Sequence, residues 1–403
     1  MARITSINST KTQKRLGTLC LAIFFLLSGL CFGQAASAPS GGRPNTHVLT
    51  DWTEFHFRHY GTRFNPYERF LTVKNVGNLD LKWSYTTGSL VQGDPIVANG
   101  VVYIGSDDNN FYALKTDTGS KLWSYPVGNY VWSAAAVANG AVYVRSLSGP
   151  LFALSARTGI LLWSYAVEDS FGSSPAVANG VVYTAGGNSD ASVYALNART
   201  GLLLWTFTTN CCAVSSPTVA DGVVYVGSED NNVYALNART GVKLWSYGTG
   251  DYVESSPAVA DGVVYVGSDD HNLYALDSTT GAKLWSYTTG GHVFSSPAVT
   301  KGAVYVGSYD GNLYALNART GVKLWSYAIG GQVLSSPAVA NGVVYVGSDD
   351  GKVYALNAHT GAKLWSYTTG SYVESSPVVV NGVVYVGSED GKVYAFSLKH
   401  GRE

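Results

Sequence analysis

Charge is scarce in this chain. Asp, Glu, Lys and Arg make up 13% of its 403 residues, against roughly 25% in an ordinary soluble domain. No lysine- and arginine-rich run is visible, which argues against a nucleic-acid partner. Sulfur is scarcer still, with one Met and four Cys. Cys20 and Cys31 lie near the N-terminus, so the only cysteines in the body of the chain are the neighbours Cys211 and Cys212. A disulfide-stapled scaffold is excluded. Walker and dinucleotide glycine motifs are missing from their expected contexts, and no nucleophile–base arrangement is legible.

Apolar residues reach 46%, with 46 Gly and 28 Tyr, enough for a large core under a surface of Ser, Thr, Asn and Gly. The first residues read as an export signal. Lys11, Lys14 and Arg15 precede the apolar stretch "LGTLCLAIFFLLSGLCFG" (16–33), and "AASA" (35–38) offers small residues for cleavage. A retained transmembrane anchor and a lipid anchor at Cys31 are the alternatives. Cleavage after residue 38 predicts a periplasmic or extracellular protein with no membrane span in its mature form.

Two aromatic series run through the chain. One is Trp83, Trp123, Trp163, Trp205, Trp245, Trp285, Trp325 and Trp365. The other is Tyr103, Tyr143, Tyr183, Tyr225, Tyr265, Tyr305, Tyr345 and Tyr385. The repeat, as in "SSPAVADGVVYVGSDDHNLYALDSTTGAKLWSY" (255–287), parses into four short strands separated by Asp-Gly or Asn-Gly, Ser-x-Asp and Thr-Gly turns. Its second strand is apolar on both faces. Units of this length, each covered by its neighbours, predict an all-β fold: an eight-bladed β-propeller over 79–398. The repeats open with a fourth strand, "LDLKWSY" (79–85), and stop after a third, "VYAFSL" (393–398). Residues 79–85 are therefore expected to complete the last blade and close the ring. Residues 39–78 form a lead-in and 399–403 a tail.

The eight tryptophans are expected to dock blade on blade, as large aromatics buried between neighbours. The Ser-x-Asp acids (Asp270, Asp350, Asp390) read as turn chemistry, with no metal required. His56, His59, His271 and His292 read as surface or packing residues. The informative positions are those that vary. Three residues before the proline of each first strand, or before its equivalent Ala135, stand Gln92, Trp132, Gly172, Val214, Glu254, Phe294, Leu334 and Glu374. They are expected to ring one mouth of the central channel as a binding surface on a constant frame. Tyr130, Tyr252 and Tyr372 join them. Cys211 and Cys212 precede the first strand of the fourth blade. Adjacent α-carbons lie about 3.8 Å apart, closer than disulfides prefer. A bridge between them closes almost no chain, so if the pair oxidises, a local role is expected rather than general stabilisation.

The segment "YALNARTGVKLWSY" (234–247) resembles the pyrroloquinoline quinone (PQQ) repeat of bacterial propellers, although the family's acid after Ala-Leu is here mostly Asn237, Asn317 or Asn357. "DWTEFHFRHYGTRFNP" and "NVGNLDLKWSY" resemble the start of such proteins, quinoprotein dehydrogenases among them. That resemblance implies a vicinal disulfide packed against a flat quinone, as "NCCAVSSP" resembles one, with a tryptophan such as Trp132 on the cofactor's other side. The long insertions, the Gly-Asn-Pro segment and the Glu/Asn/Asp set for calcium are missing. The expectation is a non-catalytic scaffold, similar in fold to the propeller that helps assemble outer-membrane proteins, taking a protein or glycan partner at its mouth as a monomer. No cofactor is expected. A PQQ- and calcium-dependent dehydrogenase with a minimal site is the alternative, and a carbohydrate- or wall-binding module is the second.

Overall fold

The proline-led run of each repeat forms a three-residue strand, and three longer strands follow it outward. In the fifth repeat these are Ala258–Ala260, Val263–Gly267, Asn272–Asp277 and Lys283–Thr288. Asp261 and Gly262, between the first two, both have positive φ (50° and 77°), the conformation that an Asp-Gly hairpin turn supplies. At the third turn, Asp277 Oδ1 accepts from the N–H groups of Thr279 and Thr280. Asn237 Oδ1 accepts from Arg239 and Thr240 in the same way. An amide oxygen serves this turn as well as a carboxylate, which explains how Asn can replace the acid in four of the eight repeats.

The computed structural model describes residues 50–57, 61–167, 172–187 and 191–399. The segment expected to be an export signal, Cys20, Cys31 and His59 lie outside them. Eight sheets result, seven of four antiparallel strands and one of five: an eight-bladed propeller. Leu79–Thr86 pairs antiparallel with Lys392–Leu398 and supplies the outer strand of blade 8, as the sequence predicts. Second strands such as Val343–Ser348 are buried throughout.

Each blade meets the next through the same contact. Trp285 Nε1 donates to Ala318 O in the next blade at 3.0 Å, and Tyr265 OH donates to the same carbonyl at 3.1 Å. The indoles of Trp163, Trp205, Trp245 and Trp325 donate at 3.0 Å to the carbonyls of Ala198, Ala238, Ser278 and Ala358. Trp123 donates to Ala156 O at 3.2 Å. Across the closure, Trp365 Nε1 donates to Leu79 O at 3.0 Å and Trp83 Nε1 to Thr116 O at 2.8 Å.

The rings are covered to different degrees. Only Trp83 and Trp245 are buried, while Trp123, Trp163, Trp205, Trp285, Trp325 and Trp365 are half-buried. They stand on the outermost strand of each blade, which has no strand beyond it to cover them. Each ring is thus anchored through its N–H as well as its apolar area. A Cβ on Gly321 would lie 2.7 Å from the Trp285 ring, so this Thr-Gly glycine serves both its positive φ and the indole above it. Nearer the axis, a Cβ on Gly267 would lie 2.3 Å from Val293 O of the next blade. Blade 2 departs here and places the buried Arg145, which donates to Ala185 O of blade 3.

The lead-in threads the channel. Trp52 bridges Val97 of blade 1, and Val137 N–H of blade 2 donates to Thr53 O at 2.8 Å. Beyond it, Val299 N–H donates to Thr62 O at 2.9 Å and Val339 N–H to Arg63 O at 3.0 Å. Phe64–Asn65 adds a parallel strand to blade 7. One chain segment thus pairs with the inner edges of blades 1, 2, 6 and 7, which the ring leaves free.

Candidate functional site

A cavity of about 450 Å³ opens at the end of the channel where the fourth strands turn into the first strands. Gln92, Trp132, Gly172, Val214, Glu254, Phe294, Leu334 and Glu374 all line it, one per blade. Below them comes a ring of serines. The N–H groups of Ser174, Ser216, Ser256 and Ser296 each donate to the next blade's serine hydroxyl at 2.9 Å, from Ser216 through Ser336. Ser376 N–H donates instead to Asp94, which stands where six of the other blades have serine. Ala134 leaves the ring open between blades 1 and 2. Phe55 of the lead-in forms part of the wall.

The lead-in carries buried charge. Arg63 is fully buried and donates to three backbone carbonyls: Phe55, Pro337 and Pro377. Its guanidinium lies 4.6 Å from the Phe55 ring centre. Burial pushes the Asp94 carboxyl up to about 6, against the opposing pull of Arg63 and Ser376. Burial pushes Glu54 up to about 8, so it holds its proton at neutral pH. His56 is also buried, with Nδ1 3.2 Å from Thr218 Oγ1, and burial drives it toward the neutral form.

The mouth is acidic in two tiers. Glu254 and Glu374 line the cavity, with Glu229 beside them. Behind them stand Asp107, Asp269, Asp349 and Glu389, at the middle position of the Ser-x-Asp turns. Gln92 Nε2 donates to Glu374 at 3.0 Å and to Glu389 at 2.8 Å, and Trp132 Nε1 donates to Asp107 at 3.0 Å. Burial, then the charges of their acidic neighbours, pushes Glu254 and Glu374 each up to about 7. Asp349 rises to about 6 for the same reasons. No lysine or arginine lines the cavity among the described residues. Two aromatic pairs face this field: Trp132 stacks on Tyr130 at 6.3 Å, and Phe294 on Tyr309 at 6.1 Å. His292 stands 3.9 Å from Asp269, with the His271 ring 4.9 Å away.

The sequence reading missed these middle turn positions. It weighed the last acid of each turn, which is structural: Asp270 Oδ2 accepts from Tyr274 OH at 2.5 Å and from Gly250 N–H at 2.7 Å. The available signal was variation, because Asp107, Leu147, Glu229, Asp269, Tyr309, Asp349 and Glu389 change beside a constant frame.

Cys211 and Cys212 stand beside the cavity, with their sulfurs 3.2 Å apart. Glu229 N–H donates to Cys212 O at 2.9 Å, and Asp269 N–H to Tyr252 O at the same distance in blade 5. The pair therefore occupies an ordinary rim backbone, and what sets it apart is its side chains.

Family models tile the described chain. Residues 52–135 match a model described as glucose/ethanol/alcohol dehydrogenase, beta-propeller domain. Residues 126–248 match outer membrane protein assembly factor BamB, and residues 220–400 match beta-alanine-activating enzyme, beta-propeller. The chain thus matches PQQ-repeat and PQQ-like β-propeller models along its repeats, each over less than half of its length. A curated relative, the dehydrogenase subunit of the quinone alcohol dehydrogenase of Gluconobacter oxydans (strain 621H), is 29% identical over 120 residues, 28% of this chain. The match spans only 15% of that relative's length. A europium-containing methanol dehydrogenase superposes with a TM-score of 0.75 at 16% identity, covering 87% of this chain and 98% of the other. BamB from Moraxella catarrhalis superposes at 0.69 and 21% identity, covering 79% and 99%. These likenesses show a shared fold.

PQQ is a tricarboxylate. In this cup it would meet Glu229, Glu254 and Glu374 and no lining lysine or arginine among the described residues. Trp132 belongs to blade 2 and the cysteines lead into blade 4, with blade 3 between them. Among the described residues no three carboxylates converge within 4.8 Å, whereas calcium takes 6–8 oxygens. The residues do not fit that cofactor pair.

Proposed function

We propose that this propeller is an exported binding scaffold whose cup takes a positively charged group presented by a partner. One observation carries the reading. The variable residues converge on a single cavity whose titratable groups are nearly all acids, and two of them, Glu254 and Glu374, are held above their usual pKa by burial and by acidic neighbours. Such a field is relieved by a cation, and Trp132 and Phe294 add faces for cation–π contact. A lysine-bearing protein segment fits this chemistry better than a neutral glycan or an anionic quinone. Among the described residues no helix is long and apolar enough to cross a membrane, and this says nothing of how the chain is delivered.

The test is a ligand panel read by thermal shift at pH 8. Lysine-rich peptides are expected to stabilise the protein, while glutamate-rich peptides, oligosaccharides and PQQ with calcium are not. Stabilisation by PQQ with calcium alone would favour the dehydrogenase reading, and by oligosaccharide alone the glycan-binding one.

A further inference from the structure

The cysteine pair has a third member. Cys211 Sγ, Cys212 Sγ and a Glu229 carboxylate oxygen all lie within 4.8 Å of one another. The backbone that holds them is fixed from several sides. Ser228 Oγ donates to Cys211 O and to Cys212 O at 3.0 Å each. Glu229 N–H donates to Cys212 O at 2.9 Å, and Asn210 N–H donates to Asp230 Oδ2 at 2.9 Å. Cys212 is buried, Cys211 is half-buried, and Glu229 lines the cup.

We infer that the reduced pair and Glu229 form a binding site for a thiophilic divalent cation of the zinc or cadmium class. Two sulfurs and one carboxylate are a soft donor set that favours such ions over calcium or magnesium. Zinc–sulfur bonds of about 2.3 Å in a tetrahedron set the sulfurs about 3.8 Å apart, so side-chain rotation from the present 3.2 Å suffices. Binding releases one proton from each thiol: M²⁺ plus two thiols and one carboxylate gives a bis-thiolate carboxylate complex of net charge −1 and two H⁺. The fourth tetrahedral position is left for water or for a donor on a bound partner, because Glu229 belongs to the cup wall. Oxidation of the pair to a disulfide would abolish the site.

The experiment uses the full mature chain, reduced with a non-thiol phosphine under argon and titrated with cadmium while the sulfur-to-metal absorbance is followed. One cadmium per chain, two protons released and competition by zinc but not calcium are expected. Cys211→Ser/Cys212→Ser should lose the absorbance, and Glu229→Gln should weaken binding at least about tenfold. The double-serine variant should keep the wild-type melting temperature without metal, because other blades hold the same backbone with other side chains. Reduced protein with two reactive thiols and no cadmium uptake would overturn the site. So would a double-serine variant that binds as tightly as the wild type, or a pair that stays oxidised under the phosphine. None of these outcomes bears on the charged-group reading of the cup, whose panel contains no soft metal.

Discussion

The two ends of the channel are built from the same innermost strands and do opposite things. At the mouth the strands present varied side chains to a cavity rich in carboxylates. Farther along, the same strands present backbone, and the lead-in binds it with Trp52, Thr53, Thr62 and Arg63. Acids at the mouth repel one another and can be relieved by a ligand. The charge inside is already answered, because Arg63 gives its donors to three carbonyls and Glu54 stays protonated. A repeated frame can therefore hold one end for recognition while a single-copy segment seals the other.

Arg63→Met breaks the sealed end most directly. It leaves three buried carbonyls without their donor and Asp94 without its counter-charge, and should cost about 3–5 kcal/mol. Chemical denaturation checks this, and a loss below about 1 kcal/mol would mean that the lead-in merely lies against the ring. Trp285→Ala removes an interblade hydrogen bond and a half-buried ring and should cost about 3 kcal/mol, whichever end of the channel is considered.

The pH dependence of stability separates the ends further. Glu254 and Glu374 have folded-state pKa values raised from 4.5 to about 7. The folded state therefore binds more protons than the unfolded chain across this window, and stability falls as pH rises through 7. Glu54, raised to about 8, extends the fall to that pH. Glu254→Gln/Glu374→Gln should flatten the fall near 7 and leave the limb near 8, while Glu54→Gln should do the reverse. Melting curves from pH 4 to 9 measure this, and a curve unchanged in both variants would remove the electrostatic account. The smallest effect is expected at the rim of the ring. Leu161 and Leu203 stand where blades 1 and 4–7 have outer-strand lysines such as Lys121 and Lys243, and both are exposed. Leu161→Lys/Leu203→Lys should raise solubility and move stability by no more than about 0.5 kcal/mol.

The repeated part of this molecule was legible because repetition averages out local ambiguity. Eight copies of the Trp and Tyr positions, the Asp-Gly turns and the missing last strand were enough for blade number and closure. How far each tryptophan is covered was not legible, because that depends on what lies outside the outermost strand rather than on the repeat. The lead-in exists once, so Glu54, His56 and Arg63 carried no periodic signal, and the contacts that bury them are long-range. Asp94 was visible in principle, as the one acid where other blades have Ser or Ala. At the mouth the residue before each Ser-Ser-Pro was readable as a ring. The acids behind it showed only as variation at a turn position, because they come from a different turn and meet the ring through side-chain contacts such as Gln92–Glu389 and Trp132–Asp107.

On our proposal, the mouth binds positive charge through its own carboxylates. Calorimetric titration of the mature protein with a tetralysine peptide, at pH 8 and pH 5, tests it most directly. Binding at pH 8 that weakens at least about tenfold at pH 5, a change of about 1.4 kcal/mol, and that is largely lost in Glu254→Gln/Glu374→Gln is the predicted result. Affinity that is the same at both pH values, or that survives the double substitution, would contradict the account.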